Sequence, residues 1–308
     1  MKAYAYYPGC SLEKIAQSYQ QSALECARRL ELEFQELDDW NCCGATAYFA
    51  IDQLLSYTLS ARNLALAEQK KLDMVTPCAG CYKNAYFANV DLKRDADLAE
   101  HINEALQEDN LRFNGTIQVF HLLEVFCNDV GTAEIRRRVT QLLSGLRVAP
   151  YYGCQIIRPR KDHEDVETPH FFEDLIAATG ATPIEYPLKT RCCGGSLLIT
   201  SRKASFSLVR NLLQNALDNS AAVIATACPM CQLNLECYQQ QINQEFGTQF
   251  AVPILYFTQL LGLALGASPR ELGFGSELVS ASAVLAQIEN SKAGMIKASQ
   301  TLRATRTA

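Results

Sequence analysis

Ten of the thirteen cysteines fall into one pattern that occurs twice. The first copy is Cys10, then Cys42-Cys43-Gly44, then Cys78-Ala79-Gly80-Cys81. The second is Cys154, then Cys192-Cys193-Gly194, then Cys228-Pro229-Met230-Cys231. In both copies 34 residues separate the vicinal pair from the CxxC, while the earlier gap is 31 residues in one and 37 in the other. A five-thiol set repeated at matched spacing marks an internal duplication built around two thiolate-rich sites. A structural zinc ion takes four ligands, and a cubane iron–sulfur cluster also takes four cysteines. Adjacent cysteines diverge along an extended backbone, so a vicinal pair serves two neighbouring irons more readily than one metal ion. Five thiolates that include such a pair suit a larger or opened iron–sulfur cluster. Two other readings stand beside it. One is a pair of structural zinc sites, each with a spare cysteine. The other is a dithiol redox centre, which would not need the three further thiols.

Other side chains near the motifs bear on charge and hydrogen bonding. Lys83, Lys189, Arg191, Arg158 and Arg160 sit in or near the motif loops, where they would offset thiolate charge. Of the four histidines, only His121 falls at a strand-to-helix junction equivalent to the cysteine loops, and its counterpart in the second half is Tyr256. Each is placed to donate a hydrogen bond to a cluster or substrate; a satisfied residue at a helix start is the plainer role. Cys26, Cys127 and Cys237 read as small buried apolar residues. No nucleophile elbow, Walker loop or HExxH occurs, so a hydrolase or nucleotide enzyme has no support.

The elements that must position these thiols follow from the hydrophobic pattern. Short β-rich runs are expected at 2–7, 33–38, 72–76 and 117–120, and again at 147–152, 182–187, 222–226 and 253–256. Helical patterns lie at 15–30, 48–70, 97–107, 171–178, 203–220 and 233–246. Strands alternating with helices indicate an α/β fold: two pseudo-symmetric halves, each a short parallel sheet flanked by helices. Cys10, Cys78, Cys154 and Cys228 each follow a strand and precede a helix, and the vicinal pairs come a few residues after a strand and open a helix. Ligands gather beyond the carboxyl ends of such strands, where helix N-termini favour bound negative charge. The expected division is 1–130 for the first domain, 131–146 for a connecting helix, 147–266 for the second domain and 267–308 for a C-terminal tail.

Bulk properties narrow the class. A chain of 308 residues has a prior of two domains. Its net charge of −5, with no dense Lys/Arg cluster among aromatics, argues against nucleic acid as a partner. The start Met1-Lys2-Ala3-Tyr4 runs straight into the first motif and leaves no room for a signal segment, so a reducing cytoplasm is expected, where paired cysteines mean metal or redox chemistry. The longest apolar stretch, 253–266, is too short to span a bilayer. In the tail, Lys292, Lys297, Arg303 and Arg306 accompany Val284, Leu285, Ile288, Met295, Ile296 and Leu302, a pattern that fits a basic amphipathic helix on a membrane surface or a partner.

The repeated lone Cys, Cys-Cys-Gly and CxxC resemble the CCG-domain proteins over roughly residues 1–265, including the phrases from Arg191 to Gly195, Ala225 to Leu235 and Tyr256 to Gly262. The family includes the cysteine-rich catalytic subunit of heterodisulfide reductase, the homologous subunit of type-E succinate:quinone oxidoreductases (succinate dehydrogenases) and, more distantly, the glycolate oxidase iron–sulfur subunit. The resemblance implies two noncubane four-iron four-sulfur clusters, each held by five cysteines with one bridging. One cluster would take Cys10, Cys42, Cys43, Cys78 and Cys81; the other Cys154, Cys192, Cys193, Cys228 and Cys231. Zinc in one half is a known variation. The resemblance also implies iron–sulfur or flavoprotein partner subunits, an acceptor that is a quinone or a disulfide, and peripheral contact with the cytoplasmic membrane face. The tail tilts the expectation toward quinone.

Overall fold

The computed structural model describes residues 2–45, 48–159 and 166–291. All eight expected strands are present. They are β1 (Ala3–Tyr6), β2 (Glu33–Glu36), β3 (Met74–Thr76), β4 (Val119–His121), β5 (Arg147–Tyr151), β6 (Thr182–Pro183), β7 (Val223–Thr226) and β8 (Ile254–Tyr256). They form two parallel four-stranded sheets, ordered β2-β1-β3-β4 and β6-β5-β7-β8. Helices cover both faces, so β3, β7 and β8 are buried along their whole length, and their sequences are correspondingly apolar. The edge strand β2 is the most open, with Glu33, Gln35 and Glu36 exposed, and the other sheet's edge strand β6 exposes Thr182. In each sheet the chain leaves the two central strands in opposite directions, which opens a crevice at their carboxyl ends. Thr76 pairs with His121 and Thr226 with Tyr256, which makes His121 and Tyr256 structural equivalents.

Several helices break where the apolar pattern is continuous. The expected helix 48–70 divides into Tyr48–Ile51 and Gln53–Lys70 because Asp52, in an extended conformation, caps the second piece by accepting from Leu55 N. The expected helix 233–246 divides at Tyr238 into Pro229–Cys237 and Gln239–Phe246. The expected connecting helix 131–146 begins where expected but is shorter. A turn at Leu122–Glu124 runs into a wide π turn, Val125–Gly131; Gly131 takes φ 83°, and helix Thr132–Arg138 follows. Residues beyond Arg138 leave the helix, and Thr140 N and Gln141 N donate instead to Ala264 O.

The halves pack through one continuous core. Tyr19, from helix Gln17–Arg29, stacks on Tyr256 with ring centroids 4.2 Å apart. Ser22 Oγ and Thr258 Oγ1 lie 2.6 Å apart, and Cys26 Sγ donates to Thr258 O at 3.1 Å. On the other side Cys127 Sγ donates to Phe171 O at 3.4 Å, and Phe126 and Phe172 meet Phe257 edge-on at 5.8 and 5.9 Å. Fully burying one such ring stabilises by about 1.5–3 kcal/mol. A second, smaller cluster, including Ala5, Leu64, Tyr82 and Val119, lies wholly within the first half.

The described part of the tail is not an independent extension. Leu272, Ala281, Val284 and Ile288 are buried in the shared core. Gln287 Nε2 donates to Gly145 O at 2.7 Å, and Ser291 Oγ to Ser144 O at 2.9 Å. Val284 and Ile288, expected on a stripe facing a membrane or a partner, therefore face the protein itself: an apolar stripe is recorded identically in sequence whichever apolar surface it meets. Met295, Ile296, Leu302 and the four basic residues of the tail lie outside the described residues. The apolar stretch 253–266 becomes β8 and the buried helix Phe257–Ala264. Among the described residues no helix is long and apolar enough to cross a membrane.

Candidate metal centre

Cys78 and Cys228 occupy the N-cap positions of helices Ala79–Arg94 and Pro229–Cys237. The first-turn N–H groups of Gly80 and Cys81 face Cys78, and that of Cys231 faces Cys228. Pro229 fits the first turn, where an N–H has no intrahelical partner. Cys10 opens the short helix Cys10–Glu13. Cys154 departs from expectation: no helix follows it directly, and residues 152–159 are irregular. The vicinal pairs also lie in irregular segments, the second running into a tight turn at Gly195–Leu197.

All ten motif cysteines line one cavity of about 160 Å³ between the halves. Cys10 and Cys42 sulfurs are 3.9 Å apart, and Cys43 and Cys81 sulfurs 3.4 Å. Cys78 and Cys228, one from each half, lie close enough in the shared cavity to shift each other's ionisation, so the two thiol sets meet. The same electrostatic pattern recurs in both. Cys42 is held well below the usual thiol range by its neighbours Cys10 and Cys43, and Cys192 by Cys154 and Cys193. Cys10 and Cys154 are pushed up by Cys42 and Cys192 respectively and by burial. The remaining polar lining side chains among the described residues are Ser11, Tyr152, Gln155 and Ser196, with no carboxylate or imidazole. A donor set of sulfur alone, five per half, suits iron–sulfur chemistry. Among the described residues no three His, Cys, Asp or Glu side chains surround a single-ion position.

The halves brace their vicinal pairs alike. Tyr7 hydroxyl donates to Asn41 O at 2.8 Å, and Tyr151 hydroxyl to Arg191 O at 2.7 Å; each carbonyl immediately precedes a vicinal pair. Asn84 Nδ2 donates to Cys43 O at 3.0 Å, and Asn234 Nδ2 to Cys193 O at 2.6 Å. Glycine before each lone cysteine is required by close approach. A Cβ on Gly9 would stand 2.8 Å from Cys81 Sγ, and one on Gly153 3.2 Å from Cys231 Sγ. Sequence reasoning missed the tyrosines and asparagines as bracing groups. The signal was present in the matched phrases Thr76 to Asn84 and Thr226 to Asn234, and in Tyr7 and Tyr151, each three residues before the lone cysteine.

The other candidates are placed as follows. His121 is buried outside the cavity lining. Its Nε2 lies 3.1 Å from Pro77 O, and its Nδ1 accepts from Leu123 N at 3.1 Å, so the proton is on Nε2. Burial lowers its pKa to about 4. It caps a helix and holds the peptide before Cys78. Tyr256 plays the helix-start part in the second half, with its N–H donating to Gln259 Oε1 at 3.0 Å and its hydroxyl 3.4 Å from Gln232 Oε1. Lys83 is half-buried, its pKa lowered by burial against the opposing influence of Cys154 and Cys43. Arg191 is exposed and contributes its carbonyl, while Arg158 helps lower Cys192. Lys189 does not offset thiolate charge: it is buried and bonded to Glu173 and to Pro169 O. Arg160 lies outside the described residues. Cys26 and Cys127 are buried between the halves, away from the cavity, and Cys237 ends helix Pro229–Cys237.

Comparison with known proteins agrees with this layout. The CCG cysteine-rich domain family matches residues 4–84 and 148–236, each segment running from the first strand of a half to just beyond its CxxC. The chain is 34% identical over 302 residues to a subunit of the ferredoxin:CoB-CoM heterodisulfide reductase of Methanosarcina mazei, covering 96% of this chain and 100% of that protein. It is 33% identical over 282 residues to the 8-methylmenaquinol:fumarate reductase membrane anchor subunit of Wolinella succinogenes, covering 91% and 98%. A solved structure of a hypothetical protein from Helicobacter pylori superposes with a TM-score of 0.75 at 15% identity, over 91% of this chain and 52% of that one. That likeness concerns the fold, and this chain spans about half of the solved chain.

Proposed function

The chain belongs to the CCG cysteine-rich domain family, and from that premise we propose that it is an iron–sulfur electron-transfer subunit of a multi-subunit oxidoreductase. The observation that carries the reading is the convergence of ten cysteines, five from each half, on one cavity. Cys10, Cys42, Cys43, Cys78 and Cys81 would hold one noncubane cluster; Cys154, Cys192, Cys193, Cys228 and Cys231 the other. Such clusters accept and release single electrons. The protein's own groups supply the rest. Helix N-termini at Cys78 and Cys228 stabilise thiolate charge, the paired halves screen the inner sulfurs from water, and the Cys78–Cys228 contact brings the two sets together.

An acceptor bound at the cavity mouth would meet both sites, and the reading favours a quinone. Exposed apolar side chains follow both vicinal pairs: Tyr48 and Ile51 in the first half, Leu197 and Ile199 in the second, with Ile51 83% and Ile199 96% exposed. They suit a lipid-soluble molecule approaching from a peripheral membrane position. A disulfide acceptor is the second reading, favoured by the 34% identity to a heterodisulfide reductase subunit. Partner subunits bearing flavin or further clusters would deliver the electrons.

Anaerobic reconstitution tests the cofactors: about eight irons and eight sulfides per chain are expected from two four-iron clusters. A colourless protein with stoichiometric zinc and no iron would sink the cluster reading in favour of a scaffold. Stopped-flow reoxidation of the reduced protein by a menaquinone analogue, compared with a mixed thiol disulfide, separates the acceptors. Faster reoxidation by the disulfide would overturn the quinone assignment.

A further inference from the structure

The peptide that joins the second vicinal cysteine to its glycine is held at both ends. In the second half, the Cys193–Gly194 peptide turns its carbonyl to Asn234 Nδ2 at 2.6 Å and its N–H to Cys192 Sγ at 3.3 Å. The first half repeats this: Cys43 O accepts from Asn84 Nδ2 at 3.0 Å, and Gly44 N–H faces Cys42. The C=O and N–H of a trans peptide point in opposite directions and rotate together. Fixing the carbonyl on one side therefore aims the N–H on the other. Gly44 and Gly194 take φ 69° and 75°, the left-handed region that lets the chain present this N–H.

The asparagines are committed to this task. Asn84 and Asn234 are buried, and each comes three residues after the second cysteine of a CxxC. The second Nδ2 hydrogen goes to a buried serine in each half: Ser56 Oγ at 3.2 Å and Ser205 Oγ at 3.4 Å. Asn84 Oδ1 and Asn234 Oδ1 have no hydrogen-bond partner among the described residues. An acceptor left unmatched in a buried site costs about 1–3 kcal/mol. The amide keeps that cost in both halves because turning it over would set oxygen against the cysteine carbonyl.

We propose that Asn84 and Asn234 are positioning residues that set the reduction potential of the two metal sites, by orienting the Cys-Gly peptide so that its N–H donates to the first sulfur of each vicinal pair. A hydrogen bond to a ligand sulfur stabilises the more negative, reduced state and raises the potential. The proposal rests on the cluster reading above. It adds that each half carries its own tuning amide, so the two potentials are set separately.

Redox titration of the reconstituted full chain, followed by EPR, tests it. Asn234→Ala lowers the potential of the second-half cluster and leaves the first unchanged; Asn84→Ala does the reverse. Ser205→Ala, which touches the same amide without touching the peptide, leaves both in place. Proton ENDOR of Asn234→Ala shows weakened coupling of one exchangeable proton at the affected cluster. Asn234→Asp covers the case in which the alanine variant binds no iron. Its buried carboxyl stays protonated at low pH and still donates, so the second potential starts near that of the natural protein. As the acid ionises with rising pH, that potential falls, while the first cluster does not follow. Unchanged potentials in the loaded variants, or an equal shift at both clusters, would overturn the proposal. Loss of iron from both sites in all three Asn variants would make the asparagines folding residues and overturn it too. A natural chain that takes up no iron sinks the cluster reading itself and is recognised before any variant is made.

Discussion

The two thiol sites share their braces and differ in their access. Each has a tyrosine on the carbonyl before the vicinal pair, an asparagine on the carbonyl after it, and a glycine beneath the lone cysteine. Yet Cys10 and Cys42 are exposed, whereas Cys154 and Cys192 are only partly so. The rims differ as well. Residues 40–61 hold one charge, Asp52, while residues 188–217 hold five basic residues and no acid, with Arg191, Arg202 and Lys203 exposed. The difference separates two kinds of constraint. Bracing geometry answers to the bound group and is repeated; the rim answers to whatever approaches from outside and has diverged. The first site is the more open door, and the second is the one an anionic headgroup or acidic surface would meet.

The sharpest way to break this comparison is through the glycines. Gly9 takes φ 74° and ψ 161°, a region essentially reserved for glycine, where another residue costs about 1–3 kcal/mol. Its closer approach to sulfur, 2.8 Å against 3.2 Å at Gly153, makes the first half less tolerant. Gly9→Ala is expected to empty most of the first site and spare the second, while Gly153→Ala causes partial loss from the second. Iron per chain and EPR of each variant measure this; equal losses would mean that the braces are not independent.

The next effect is set by His121, which has a tyrosine as its counterpart. Burial holds its folded pKa at about 4, below the unfolded value near 6.5. The neutral ring thus contributes stability that is full above pH 6.5 and is lost as pH falls toward 4. Between pH 8 and pH 5 the loss amounts to about 2 kcal/mol. Urea unfolding of the metal-free protein should show that much less acid sensitivity in His121→Gln, and no such change in Tyr256→Phe. An unaltered pH profile in His121→Gln would mean that the histidine does not distinguish the two halves.

The smallest expected effect concerns access itself. With an iron chelator in excess, the first site should release its iron several-fold faster than the second, giving two phases in the absorbance decay. Reversed phases, assigned by Gly9→Ala, would show that the rim and not sulfur exposure controls entry.

Much of this architecture is legible in the sequence. Eight β-rich runs bounded by turn residues locate every strand, most plainly β7 and β8, which are buried on both faces and leave continuous apolar runs. The ten cysteines are legible because spacing alone repeats. Breaks at Asp52 and Tyr238 are hidden, since each interrupts a helical pattern that continues on both sides. The inward packing of Val284 and Ile288 is hidden for the reason that an amphipathic stripe does not name the surface it covers. Tyr7, Tyr151, Asn84 and Asn234 repeat visibly between the halves, but their bracing roles depend on backbone carbonyls, so the sequence shows the repeat and not the bond.

The contact between the halves has a consequence for symmetry. Helix Gln17–Arg29, after the first strand of the first sheet, packs on helix Phe257–Ala264, after the last strand of the second. The reciprocal pair is the π turn Val125–Gly131, after the last strand of the first sheet, against helix Phe171–Ala178, after the first strand of the second. The elements repeat across the two contacts, while the thiols do not: Cys26 lies after a first strand and Cys127 after a last one, each donating to a carbonyl opposite. The same patch therefore serves on both partners, which is the rule of an isologous twofold dimer. One chain thus carries the kind of contact that a twofold dimer of a single half would make, with five thiols contributed from each side. Because both halves belong to one chain, each is free to differ from the other around the pocket they share, as their rims do.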